Sequence, residues 1–202
     1  MNKEKIIIIS SPSGAGKTTI CNKIINKNKK IKLSISYTSR PIRKNEKKDT
    51  DYFFVEKRKF IDLKNKNFFI ESAKVFDYFY GSPCKNINNA FNKGKHILFD
   101  IDWQGANQLR KKFLKDDIID FFILPPSKKE LKKRLIVRGR ENQVEINKRL
   151  SLAVQEMNHY VEYKYILVND SINQTVENVL KIIQYEELLL KIYKKVKSVK
   201  ML

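Results

Sequence analysis

The residues best placed to do chemistry come early in the chain. Four isoleucines, Ile6 to Ile9, lead into Ser10-Ser11-Pro12-Ser13-Gly14-Ala15-Gly16-Lys17-Thr18-Thr19, and a helical pattern with Ile20, Ile24 and Ile25 follows. Strand, glycine-containing loop and helix in that order make a cradle for a phosphate chain. Gly14 and Gly16 let successive N–H groups turn inward on an anion, and the helix N-terminus adds its positive dipole end. Lys17 can then reach the β- and γ-phosphates of a nucleotide, and the Thr18 hydroxyl is placed to ligate Mg²⁺. The strict pattern G-x-x-x-x-G-K-[ST] has Gly where this chain has Ser11, so the first turn is where the fingerprint departs.

Such a loop needs an acidic strand end opposite it, and Ile97-Leu98-Phe99-Asp100-Ile101-Asp102 supplies one. Asp100 and Asp102 are two apart and so share one face of a strand; the alternative is that they only cap the strand end in solvent. Arg40 and Arg43 offer two guanidinium forks suited to a phosphate dianion, or else a solvated basic loop. Arg134 and Arg138 are four apart on one helix face, with Arg149 about three turns farther on. Lys128, Lys129, Lys132 and Lys133 surround the first two, so a plain basic helix is the competing account.

The elements that must position these groups read as an alternation. Short apolar runs at Ile6 to Ile9, Ile97 to Ile101, Ile118 to Leu124 and Tyr165 to Val168 are buried strands, each followed by a helical pattern. That implies an α/β fold with a parallel sheet covered on both faces. Two stretches break the alternation. From about Ser34 to Gly81 turn formers and aromatics predict a small β-rich insertion with a short helix near Lys57 to Lys64. From Pro125 to Leu150 a helix N-capped by Ser127 and ending near Gly139, then another beginning around Glu141, predict a hinged flap. In the second of these, Ile146, Leu150, Ala153, Val154, Met157 and Val161 keep helical spacing and predict core contact; a last helix from Thr175 to Val196 reads the same way. The expected division is a core of residues 1–33, 83–124 and 151–202, an insertion at 34–82 and a lid at 125–150.

Composition narrows the function. The chain has 202 residues, 42% of them hydrophobic, enough for a packed domain. Its formal charge of +20 suggests a polyanionic partner, but only 8 of the 42 basic residues are Arg, and the lysines are scattered along the whole length among Ile, Asn and Phe. Drift toward A- and T-rich codons accounts for that pattern, so no specific nucleic-acid partner is expected. Two cysteines, Cys21 and Cys84, and two histidines make neither a disulfide framework nor a zinc site. The four-residue apolar run near the N-terminus is too short for a signal peptide core or a membrane span. A cytoplasmic protein without a membrane partner, monomeric or homo-oligomeric, is the expectation.

Taken in order, the motifs resemble guanylate kinase over nearly the whole chain. The matching pieces are Ser11 to Thr18, Ser34 to Arg43, Asp51 to Val55, Phe69-Ile70-Glu71, Tyr80-Gly81-Ser82, Asp100 to Gly105, Leu124 to Ser127, Arg138-Gly139 and Val168-Asn169-Asp170. The resemblance implies a phosphate-loop three-layer fold and transfer of the γ-phosphoryl group of ATP to GMP, and with it deoxy-GMP, in purine nucleotide metabolism. It implies ATP contacts at Ser13, Gly14, Ala15, Gly16, Lys17, Thr18 and Thr19, with Asn169 on the adenine. It places Ser36, Arg40, Arg43, Tyr52 and Tyr80 on the GMP phosphate, and Glu71, Ser82 and Asp102 at the guanine. Lys17, Arg134, Arg138 and Arg149 become the catalytic cations, and Thr18 and Asp100 hold Mg²⁺, partly through water. The chain departs from the family at Val137, Arg140, Gln143 and Val144 in the flap. An intact Gly16-Lys17-Thr18 argues against a noncatalytic interaction module on the same fold, and Glu71 with Ser82 argues against another monophosphate as acceptor.

Overall fold

The computed structural model describes residues 4–44, 46–138 and 143–200, with the side chains of 137–138, 143–148 and 200 outside that description. Along the chain run β1 (Ile6–Ser10), α1 (Lys17–Lys27) and β2 (Ile31–Leu33), then β3 (Tyr37–Thr38), β4 (Phe53–Phe54), α2 (Lys57–Asn65), β5 (Phe69–Val75) and β6 (Tyr78–Pro83). They continue with α3 (Lys85–Phe91), β7 (His96–Asp100), α4 (Trp103–Lys112), β8 (Ile118–Leu124), α5 (Lys128–Arg138), α6 (Gln143–Met157), β9 (Tyr165–Val168) and α7 (Ile172–Lys200).

Five strands form a parallel sheet in the order β2-β7-β1-β8-β9. Successive side chains of a strand point to opposite faces, so the isoleucine run of β1 feeds two cores at once. Ile7 and Ile9 pack with Ile20 and Ile24 of α1 and Val176, Val179 and Ile183 of α7, while Ile6 and Ile8 pack with Ile87 of α3 and Ala106 and Leu109 of α4. All four isoleucines are fully buried, each contributing about 1.5–3 kcal/mol. Helices on both faces of a parallel sheet leave a crevice at the carboxyl ends of β1 and β7, where such folds bind ligands.

The insertion is a separate four-stranded sheet, β4-β3-β6-β5, in which β6 runs antiparallel to β3 and β5. Its aromatics make a small core of their own: Phe60 is fully buried and stacks on Phe69 at 4.6 Å and on Phe79 at 5.5 Å between ring centroids.

Two readings differ from the sequence-based expectation. α7 starts three residues early and runs to Lys200, and only its first half meets the core; Ile192, Tyr193, Val196 and Val199 are exposed. Val161 lies beyond the end of α6 in a 3₁₀ turn and is 69% exposed, so helical spacing overcounted the core there. α6 crosses residue 150, as the helical spacing predicts, with Leu150, Ala153 and Met157 in one stripe against Leu131 and Leu135 of α5. The short strand β2 carried too few residues to stand out in the sequence. Ser127 does cap α5, accepting from the Glu130 N–H at 3.1 Å. The departures at Val137, Arg140, Gln143 and Val144, together with Gly139, Glu141 and Ile146, lie outside the described residues or side chains. Among the described residues no helix is long and apolar enough to cross a membrane.

Candidate active site

β1 ends at Ser10 and the chain turns through the glycine loop into α1. Gly14 and Gly16 have φ of 92° and 97°, left-handed values that a side chain disfavours. Ser11 needs no such freedom: it is absent from the positive-φ residues, and its hydroxyl donates to the Pro12 carbonyl at 3.1 Å. A serine therefore serves where the strict pattern has glycine. Thr18 and Thr19, in the first turn of α1, are exposed at the loop mouth.

Lys17 crosses from the loop to the end of β7. Its ammonium pairs with Asp100 at 2.8 Å and donates to the Ile101 carbonyl at 2.8 Å. Burial works against its charge, but the Asp100 carboxylate outweighs that and holds the lysine above its ordinary range. Asp102 does not share a strand face with Asp100, as the spacing suggested. β7 stops at Asp100, and Asp102 is the N-cap of α4, accepting from the Gly105 N–H at 2.9 Å and from Gln104 Nε2 at 2.9 Å. An aspartate here satisfies an otherwise orphaned helical N–H, which fixes its position.

The insertion brings its own polar set to the same space. Arg40 is 7% exposed and donates through Nε to Tyr80 Oη at 3.1 Å, through Nη1 to the Pro41 carbonyl at 2.7 Å, and through Nη2 to Glu46 at 2.7 Å. Its guanidinium lies 5.7 Å from the Tyr52 ring centroid. Burial opposes the Arg40 charge, yet the Glu46 hydrogen bond raises its pKa, and the same pairing lowers that of Glu46. Arg43 is exposed at the rim. Ser36 and Ser82 share a hydrogen bond between hydroxyls at 2.9 Å, Ser82 lying fully buried beneath. Glu71 is 3% exposed; burial pushes its carboxyl up to about 7, Asp102 adds to the rise, and hydrogen bonds from Ser82 oppose it.

Most of these groups line one cavity of about 520 Å³; Ser82 and Glu46 are not part of its lining, Ser82 reaching it through its bond to Ser36. The phosphate loop with Lys17 and Thr18 forms one end, Ser36, Arg40, Arg43, Tyr52, Glu71 and Tyr80 form the other, and Asp100 and Asp102 stand between. Arg149 of α6 lines it as well, its guanidinium 6.0 Å from the ring of Phe76 in the β5–β6 turn. Arg134 takes a different position: its Nε donates to Glu130 at 3.0 Å and its Nη1 reaches the Ala15 carbonyl at 3.5 Å, behind the loop. The side chain of Arg138 lies outside the described residues.

Asn169 is fully buried, and both ends of its amide are engaged. Nδ2 donates to the Ala15 carbonyl at 2.8 Å and Oδ1 accepts from Thr175 at 3.1 Å. This side chain ties the phosphate loop to the start of α7. Sequence reasoning passed over two acids. Glu46 sits in a Lys- and Asn-rich loop with no periodicity to mark it. Glu156 accepts from the Ser13 N–H at 2.9 Å, and burial, only partly offset by that bond, raises its pKa. Glu156 follows Arg149 by seven residues, two helical turns on the same face, so its proximity was available in the spacing.

A phosphate loop at the carboxyl end of a parallel sheet, opening on a pocket with a buried acid and a buried guanidinium, defines a nucleotide-binding protein of the α/β phosphate-loop class. The family model for guanylate kinase matches residues 3–186. The chain is 41% identical over 193 residues to the guanylate kinase of Buchnera aphidicola subsp. Baizongia pistaciae, covering 95% of this chain and 92% of that one. With the guanylate kinase of Blochmanniella floridana it shares 46% identity over 168 residues, 82% of this chain and 79% of that one. The crystal structure of guanylate kinase from Anaplasma phagocytophilum superposes with a TM-score of 0.76 at 34% identity, covering 91% of this chain and 86% of that one. The chain belongs to the guanylate kinase family. Its activity is that of an ATP:GMP phosphotransferase.

Proposed function

We propose that the loop end of the cavity holds the phosphates of ATP and the insertion end holds GMP, so that the acceptor phosphate meets the γ-phosphoryl group above Lys17. The observation that carries this division is the single continuous cavity with a phosphate loop at one end and Arg40, Tyr52, Tyr80 and Glu71 at the other. Arg40 and Arg43 with the Ser36, Tyr52 and Tyr80 hydroxyls suit a phosphate dianion. Glu71 suits the N1–H and N2–H₂ donors of guanine, with Ser82 and Asp102 close to the base; adenine presents no such donor pair and would leave Glu71 buried and unsatisfied. Deoxy-GMP fits the same contacts.

In the reaction a GMP phosphate oxygen attacks the γ-phosphorus in line and ADP leaves. No general base is required, because the acceptor phosphate is already ionised near neutral pH. The protein contributes position and charge. Lys17 exchanges part of its bond to Asp100 for the transferring oxygens, and Arg149 approaches from α6 with Arg134 and Arg138 on the neighbouring helix. The Thr18 hydroxyl and the Asp100 carboxylate are hard oxygen donors facing one cavity and fit Mg²⁺, which neutralises β- and γ-phosphate oxygens when bound. Residues 34–82 then act as the acceptor unit and residues 125–150 as a lid over the donor, excluding water.

Coupled ADP release with ATP and Mg²⁺, comparing GMP, deoxy-GMP, AMP, UMP and CMP at equal concentration, tests this assignment. Turnover is expected with the two guanine acceptors only. Lys17→Met is expected to abolish it with the fold intact by circular dichroism; wild-type turnover in that variant overturns the mechanism.

A further inference from the structure

Gly105 lies in the first turn of α4, directly against Glu71. A Cβ at this position would stand 2.6 Å from Glu71 Oε2, 3.3 Å from its carboxyl carbon and 3.3 Å from the Ile101 Cβ. Non-bonded carbon and oxygen do not approach to 2.6 Å, so the carboxylate occupies the volume that a side chain at 105 would fill. The helix itself does not call for glycine. Gly105 has ordinary helical backbone, and glycine inside a helix costs about 1 kcal/mol relative to alanine.

The backbone around Glu71 cannot retreat to make room. On one side of it Lys112 of α4 donates to the Ile70 carbonyl. On the other, Gln108 of α4 accepts from the Ser72 N–H at 3.0 Å and donates to the Ser72 carbonyl at 2.8 Å. β5 is thus pinned to α4 on both flanks of Glu71. The yielding part is the end of the glutamate side chain, with three rotatable bonds. Its displacement costs the fold little and the alignment of the carboxylate a great deal.

We propose that Gly105 is a specificity-determining residue: its missing side chain is the slot that holds the Glu71 carboxylate where it meets the donor edge of guanine. Asp102, by accepting from the Gly105 N–H, fixes that slot relative to the pocket. The inference rests on Glu71 being the guanine-reading acid.

The test compares full-length wild type, Gly105→Ala, Glu71→Ala and the double variant, measuring KM for GMP, KM for ATP and thermal stability. Gly105→Ala is expected to raise the KM for GMP by roughly tenfold or more, the scale of one charged hydrogen bond. It should leave the KM for ATP within about twofold and the melting temperature unchanged or higher. With Glu71 already removed, adding Gly105→Ala should change neither KM. An unchanged KM for GMP in Gly105→Ala overturns the proposal, as does an equal loss with and without Glu71. So does failure of Gly105→Ala to fold while Glu71→Ala folds, since the side chain would then not be what yields. If Glu71→Ala itself leaves the KM for GMP untouched, it is the assignment of Glu71 that falls.

Discussion

Glu71→Gln keeps the shape of the buried side chain and removes its charge, which separates what the acid costs the fold from what it does for the acceptor. In the nucleotide-free protein the carboxyl titrates at about 7 against an ordinary 4.5. That gap corresponds to about 3 kcal/mol. Because the folded value lies above the unfolded one, the acid's stabilising contribution is full below about pH 4.5 and is lost as pH rises through about 7. A neutral glutamine has no such dependence. The stability of Glu71→Gln relative to wild type is therefore expected to improve by up to about 3 kcal/mol between pH 5 and pH 8, about 6–12 °C in melting temperature for a chain of this size. At pH 8 the same variant should lose GMP use by tenfold or more, because an amide cannot accept from both guanine donors and sets an N–H against one of them. Thermal melts without nucleotide at pH 5, 6.5 and 8, with coupled ADP release at pH 8, read both effects. A melting difference that is the same at pH 5 and pH 8, or undiminished turnover with GMP, would refute the reasoning.

Two other substitutions probe neighbouring parts of the site. Arg40→Lys keeps the charge but loses the planar fork now shared among Tyr80, Pro41 and Glu46, so the KM for GMP should rise about tenfold with the KM for ATP unmoved in steady-state assays. Asn169→Ala leaves the buried Ala15 carbonyl without its closest donor and should cost about 1–3 kcal/mol in denaturant unfolding. It should also weaken inhibition by inorganic tripolyphosphate as much as it weakens ATP, whereas a contact to adenine would weaken ATP alone.

Local features made part of this protein legible without a structure. The glycine loop could be read because its function depends on backbone conformation within eight consecutive residues. The isoleucine and phenylalanine runs of β1 and β8 could be read because a strand buried on both faces is apolar nearly throughout, the buried Asp120 of β8 being paired with Arg110. The Ser127 cap and the insertion's helix followed from the same short-range logic. The acids were harder. Glu71 and Glu46 occupy stretches where no period distinguishes a buried carboxylate from a solvated one, and the resemblance to guanylate kinase, not spacing, singled out Glu71.

Tertiary structure decided what each polar group faces. The spacing of Asp100 and Asp102 suggested a common strand face, but the chain leaves the sheet between them, so one carboxylate pairs with Lys17 and the other caps α4. Asn169 follows a strand, and only packing shows that it is fully buried with its amide held by the Ala15 carbonyl of the phosphate loop. Glu156 meets Ser13 across 143 residues of chain, and Gly105 meets Glu71 only because α4 and β5 are laced together. Composition and period act over a few residues and fix the elements. Which carboxylate is buried, paired or free depends on contacts between elements distant in the chain, and those are set by how the sheet and the insertion pack.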